Sequence, residues 1–342
     1  MISVARTAAR TACARAVCLL VLALLLGACA SRTPLTDDLS RHGFSEHGSA
    51  EKSAESGSAA PSVIELTDVP FHPQRRYQCG PAALATVLEY AGHPADVAQL
   101  RDRVYVPARR GSLQPEMRAA VRDYGLLPLA HPADMRMLAR SLAQGYPVLV
   151  MQNLGFERLP IWHYAVVVGI DMEAGEVILR SGTQQRETLS LKRFERSWAR
   201  AAHWGMTLHA PDAVPAHATE QTWLQAAAPF EQTGSPGVAE AAYSAALERW
   251  PESFHAQMGL GNVQYQRGRF DDAEVAFRRA TTLDAAHPAG WHNLAWALIR
   301  QQRFSDAEAP ARQAVAMAAD EGSRYRSALE ALQAQHPSAG NK

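Results

Sequence analysis

The chain has 342 residues, 47% hydrophobic and 20% charged, so at about 150 residues per domain it accommodates roughly two folded domains and is not a disordered polymer. Its 34 Lys and Arg residues are matched by 34 Asp and Glu, which removes the global positive field that draws a protein to nucleic acid. The longest apolar run, Ala16 to Ala28, has 13 residues, short of the roughly 20 that a spanning helix needs.

The N-terminus carries Arg6, Arg10 and Arg15 without an acidic residue, followed by the apolar run. That charge and length pattern reads as a secretory signal over residues 1–28. The run closes in Leu26-Gly27-Ala28-Cys29, which resembles the lipobox of bacterial lipoproteins. The resemblance implies a diacylglyceryl group on Cys29, cleavage just before it and, with Ala30 rather than Asp next, a lipid anchor at the periplasmic face of the outer membrane. The alternative is an ordinary signal with Cys29 incidental. Several acyl chains, at about 0.8 kcal/mol per buried methylene, give a stable anchor. Residues 29–62 read as a tether, since Ala30 to Pro61 holds seven Ser and no apolar periodicity; its coil reach is roughly 30 Å.

Of four cysteines, Cys13 and Cys18 fall in the signal and Cys29 is assigned to lipid, which leaves Cys79 as the thiol of the exported chain. No disulfide within that chain is then available. The segment around Cys79 passes from loop to helix: Pro81 suits a first helical turn, and Ala83, Leu84, Val87 and Leu88 supply an apolar face. A thiol at the positive end of a helix is expected to have a lowered pKa, as a nucleophile requires. The competing reading is a buried, inert cysteine.

Gln74, four intervening residues, then Cys79-Gly80-Pro81-Ala82 and an apolar helix resemble the active-site opening of the papain-like peptidases that remove double-glycine leaders from bacteriocins, and of their stand-alone relatives. The resemblance spans about residues 65 to 210. It implies an oxyanion hole formed by the Gln74 side chain and the Cys79 backbone N–H, donors worth about 3 to 4 kcal/mol each in a transition state.

Such a cysteine needs an imidazole partner. Of thirteen histidines, His42 and His47 fall in the tether, His93 and His131 adjoin Pro, and His255, His287, His292 and His336 belong to the C-terminal helical region. His163 opens His163-Tyr164-Ala165-Val166-Val167-Val168-Gly169-Ile170-Asp171, a β-branched run that reads as a buried strand. In the family the histidine occupies this context, which implies that His163 is the general base. There an Asp or Asn on the next strand orients the ring; here Ser181-Gly182 stands in that place. Asp171 lies some 26 Å along an extended strand from His163 and belongs to a turn. An antiparallel return places Ser181 to Gln184 opposite the ring, so Ser181 is the assigned orienter; Asp134, Glu157 and Asp212 stay open.

The remainder of 63–212 reads as an α+β papain-like peptidase domain: helices over 114–124 and 134–144, a buried strand over 147–151, then the His163 and Val177 strands. Arg75, Arg76, Arg109 and Arg110 are either solvated surface or the lining of an acidic-substrate groove. No metal-ligand spacing and no phosphate-binding loop is present, so no cofactor is expected.

From 220 to 335 a 34-residue period pairs Ala239 with Ala273 and Ala307, Ala246 with Ala280 and Ala314, and Phe270 with Phe304. Thirty-four is the tetratricopeptide period. Repeats are expected at 220–253, 254–287 and 288–321, with a closing helix at 322–335, forming an all-α solenoid that presents a groove to a protein partner; Asn262 and Asn293 are candidates to touch a ligand there. The combined expectation is a lipid-anchored cysteine peptidase acting on a peptide or protein substrate through a thioester. Its rivals are a non-catalytic peptide-binding scaffold and an acyl transferase.

Overall fold

The computed structural model describes residues 62–132, 135–232, 235–318 and 325–335. The expected signal, Cys29 and the tether through residue 61 lie outside the described residues, as do Asp134, His336 and the start of the closing helix.

Strand β1 (Val63–Glu65) is followed by α1 (Cys79–Tyr90), α2 (Val97–Val104), a short hairpin of β2 (Tyr105–Val106) and β3 (Gly111–Ser112), and α3 (Gln114–Asp123). Then come β4 (Leu127–Pro132), α4 (Met135–Ala143), β5 (Val148–Asn153), β6 (Trp162–Asp171), β7 (Glu176–Ser181), β8 (Gln184–Ser190), α5 (Leu191–Ala199) and β9 (Trp204–His209). The main sheet is antiparallel and runs β4-β9-β5-β6-β7-β8, with β1 on the far end of β6. Helices precede most of the sheet, so the domain is α+β.

β6 is buried from Tyr164 to Ile170 because both of its faces are covered. Tyr164, Val166 and Val168 share a core with Leu84, Val87 and Leu88 of α1. Burial of each α1 leucine contributes about 1.5–3 kcal/mol. Strand alternation sends His163, Ala165 and Val167 to the other face, where α5 packs on β5, β7 and β8. The same strand therefore meets the Cys79 helix on one side and carries the histidine on the other.

The helical region comprises α6 (Glu220–Ala227), α7 (Pro229–Gln232), α8 (Pro236–Arg249), α9 (Phe254–Gln266), α10 (Phe270–Leu283), α11 (Pro288–Arg300), α12 (Phe304–Met317) and α13 (Ser327–Gln335). First helices start at Glu220, Phe254 and Pro288 and second helices at Pro236, Phe270 and Phe304, each step being 34 residues. The first repeat departs from the others where Pro229 divides its leading helix into α6 and α7. Ala239, Ala273 and Ala307 are all fully buried, as are Ala246, Ala280 and Ala314. The period recurs in charge: Glu240 pairs with Arg269, and one repeat on Glu274 pairs with Arg303 at 2.6 Å. Leu127 and Leu129 of β4 share a core with Trp223 and Phe230, which joins the array to the sheet.

Close helix crossings depend on glycine. A Cβ on Gly261 meets the Phe277 ring at 2.5 Å. Gly261→Leu is therefore expected to lower stability by about 1–3 kcal/mol through overpacking, read as a shift of the urea midpoint; an unchanged midpoint contradicts this packing.

Candidate active site

Cys79 is the first residue of α1, and Gln78 at the cap makes no side-chain capping bond. The chain enters this helix through Tyr77, which has φ 64°, a left-handed conformation that costs a non-glycine residue free energy and persists only where surroundings enforce it. The thiol is half-buried, and the backbone N–H groups of Tyr164, Gly80 and Cys79 itself are directed at it.

Gln74 is held from two sides. Its backbone N–H donates to the Gly182 carbonyl at 2.8 Å, and its Nε2 donates to the Tyr164 carbonyl at 3.2 Å. The segment leading to it is anchored by Arg180, buried in β7, which donates to the carbonyls of Val69 at 3.1 Å, Thr67 at 3.1 Å and Gln185 at 2.9 Å. Gln74 and Cys79 thus meet at the backbone of one residue, Tyr164, whose hydroxyl donates to the Ser112 carbonyl at 3.2 Å.

His163 lies beside Tyr164 in sequence and opposite Gln152 of β5. The β6–β7 register pairs Val166 with Arg180, which brings Ser181 to the ring: His163 Nε2 and Ser181 Oγ are 3.0 Å apart. That bond occupies Nε2 and leaves Nδ1 for a second partner. Among the described residues the imidazole is bonded to Ser181 and no hydrogen bond joins it to the thiol.

The other carboxylates considered are elsewhere. Asp171 Oδ1 accepts the Ala174 N–H at 2.8 Å and closes the β6–β7 turn; Glu157 and Asp212 are exposed, outside the cavity beside His163. The carboxylate in that cavity is Glu187 of β8, which sequence reasoning missed. Its signal was weak, a glutamate in a mostly exposed strand one strand beyond the expected orienter. Arg75, Arg76, Arg109 and Arg110 are exposed. Among the described residues no group of three or more His, Cys, Asp or Glu is arranged to hold a metal ion.

The electrostatics correct one expectation. Placement at the start of α1 was expected to lower the thiol pKa, yet burial raises the Cys79 pKa above the ordinary 9.0, and the three backbone N–H groups only partly offset this. Burial likewise lowers the His163 pKa below 6.5, opposed by the nearby Glu187 carboxylate. Desolvation disfavours both charged forms, so near neutral pH the pair is thiol and neutral imidazole rather than thiolate and imidazolium.

Residues 66–206 match the Peptidase_C39 like family, and residues 230–289 and 266–332 match tetratricopeptide-repeat families. A Bacillus anthracis structure described as a C39-like peptidase aligns with 43% of this chain and 96% of its own at 17% identity and TM-score 0.37. The peptidase domain of Streptococcus ComA, a bi-functional ABC transporter, aligns with 40% of this chain and 95% of its own at 25% identity and TM-score 0.34. The Yersinia enterocolitica type III secretion translocator chaperone SycD aligns with 35% of this chain and 96% of its own at 20% identity and TM-score 0.33. No curated protein matches the chain. The chain thus joins a Peptidase_C39-like domain to tetratricopeptide repeats.

The pH dependence follows from the two directions. Iodoacetamide alkylation of Cys79 is expected to rise with a midpoint above 9.0, and His163→Ala leaves that midpoint nearly unchanged because the ring is already neutral there. A midpoint well below 9.0 that moves upward in His163→Ala indicates a preformed ion pair and overturns the assignment.

Proposed function

We propose that the chain is an exported, lipid-anchored cysteine peptidase whose tetratricopeptide repeats recruit a peptide or protein substrate. The observation that carries this reading is the convergence of Gln74 and Cys79 on the Tyr164 backbone, directly beside the His163–Ser181 pair. A structural cysteine needs neither an amide donor nor a held imidazole nearby.

The Cys79 thiol attacks the substrate carbonyl carbon while its proton passes to His163 Nδ1, the nitrogen that Ser181 leaves open. Because both groups start neutral, this transfer accompanies attack rather than preceding it. The second N–H of the Gln74 amide and the backbone N–H of Cys79 stabilise the oxyanion as charge develops. Collapse breaks the C–N bond, and the leaving amine takes the proton from His163. Water, deprotonated by the same imidazole, then hydrolyses the thioester and restores the thiol. Ser181 holds the ring by a neutral hydrogen bond, which stabilises imidazolium less than a carboxylate does.

Attachment through Cys29 at the periplasmic face of the outer membrane rests on the sequence of residues 1–30 alone. A second reading, a peptide-binding scaffold without turnover, is favoured by the raised thiol pKa and by Ser181 in the orienting place. An acyl transferase uses the same thioester and differs in releasing amide products when amines are added.

Assayed with peptide libraries on the full chain, Cys79→Ala is expected to abolish cleavage. His163→Ala lowers kcat/KM by about 10²–10⁴-fold, the usual worth of a general base. Ser181→Ala costs less, and Ser181→Asp raises the pH at which the imidazole protonates. Peptide binding by the wild type without cleavage supports the scaffold and contradicts the peptidase.

A further inference from the structure

A cavity of about 270 Å³ opens beside the His163 ring, and Cys79 is not among the residues lining it. Its floor is neutral and satisfied: Gln152 Nε2 donates to Ser197 Oγ at 2.7 Å, and that hydroxyl donates to the Phe194 carbonyl at 2.8 Å. Its rim is cationic, with Arg193, Arg196 and Arg200 of the α5 region facing one carboxylate, Glu187. Spacings of three and four place these arginines on one helical face.

The three arginines differ in their commitments. Arg200 Nη1 donates to the carbonyls of Asn153 at 3.3 Å and Gly155 at 2.5 Å, which ties down the β5–β6 loop. Arg193 and Arg196 are exposed and make no hydrogen bond or ion pair among the described residues. The nearby Glu195 meets His203 Nε2 through Oε1 at 2.6 Å and forms no ion pair with either arginine. Two guanidinium groups therefore face a cavity shared with the imidazole.

The position relative to the reacting centre assigns the occupant, on the peptidase reading above. The acyl part of a substrate sits on the thiol and the oxyanion donors, whereas the leaving amine must reach the imidazole. A cavity on the imidazole side that excludes the thiol receives the residues following the scissile bond. We propose that this cavity is a carboxylate subsite for the leaving-group side of the substrate, with Arg193 and Arg196 as its recognition groups. Guanidinium groups bind carboxylates through paired, charge-assisted hydrogen bonds. Leu154 and Leu189 on the walls suit the methylenes of an acidic side chain. The same chemistry is offered by the free C-terminal carboxylate of a short leaving peptide.

The test uses the full chain carrying Cys79→Ala, which removes turnover, and degenerate peptide pools, free or amidated at the C-terminus, whose retained fraction is sequenced by mass spectrometry. Asp and Glu are expected to be enriched about tenfold over Asn and Gln, a preference worth about 1.4 kcal/mol. The double variant Arg193→Gln/Arg196→Gln loses that enrichment while its thermal midpoint is unchanged. This comparison also subtracts peptides held by the repeat groove. Enrichment surviving amidation identifies an acidic side chain; dependence on the free terminus identifies the C-terminal carboxylate. No retention, no acidic preference, or a preference persisting in the double variant overturns the subsite. Cleavage of neutral peptides by the wild type without acidic preference removes the subsite and keeps the peptidase. Arginine-dependent acidic retention without any cleavage does the reverse.

Discussion

The two-sided burial of β6 is the constraint on which the candidate site depends. Successive residues on a strand face opposite ways, so Tyr164 must enter the α1 core if His163 is to meet Ser181. Shifting β6 by one residue exchanges the two faces and puts an imidazole into the core beside Leu84. The buried run from Tyr164 to Ile170 makes such a slip costly. Helix α1 is held against this face by its own leucines, which leaves the Cys79 thiol against the Tyr164 backbone. The register that holds the fold together is thus also what sets thiol, amide and imidazole near one residue.

Burial then governs the charge states. A helix N-terminus stabilises a thiolate by roughly the same order as other dipole effects, within about 2 kcal/mol. Here desolvation outweighs it, and it acts on the imidazole in the same sense. A neutral pair is tolerable for cysteine chemistry because proton transfer can be concerted with attack. Glu187 is the group that pulls the other way on His163, in a site where the ring's hydrogen-bond partner is the Ser181 hydroxyl.

What was legible in the sequence follows from the range of the interactions involved. The start of α1 is written locally, in Cys79-Gly80-Pro81 and the apolar spacing behind it. The proximity of Ser181 to His163 follows from two adjacent strands and a short turn, which is also local. The repeats are legible because a 34-residue period recurs at buried alanines. Nothing local in the sequence marks Arg180, since its partners Thr67 and Val69 lie 113 and 111 residues away. Glu187 and the arginines of α5 enter the cavity only when β8 and α5 fold back over the sheet. The pKa direction at Cys79 departs from the helix-dipole expectation for a related reason: a dipole is a property of the helix, whereas desolvation is set by distant residues packed around it.

The central claim is that Cys79 forms a covalent acyl intermediate assisted by His163. The most direct measurement is rapid-quench mass spectrometry of the full chain mixed with an activated peptide ester. The account predicts a transient mass increase equal to the acyl group on the proteolytic fragment containing Cys79, absent in Cys79→Ala and persisting longer in His163→Ala, where deacylation is slowed. Turnover without any adduct at Cys79, or an adduct whose formation and decay ignore His163, contradicts it.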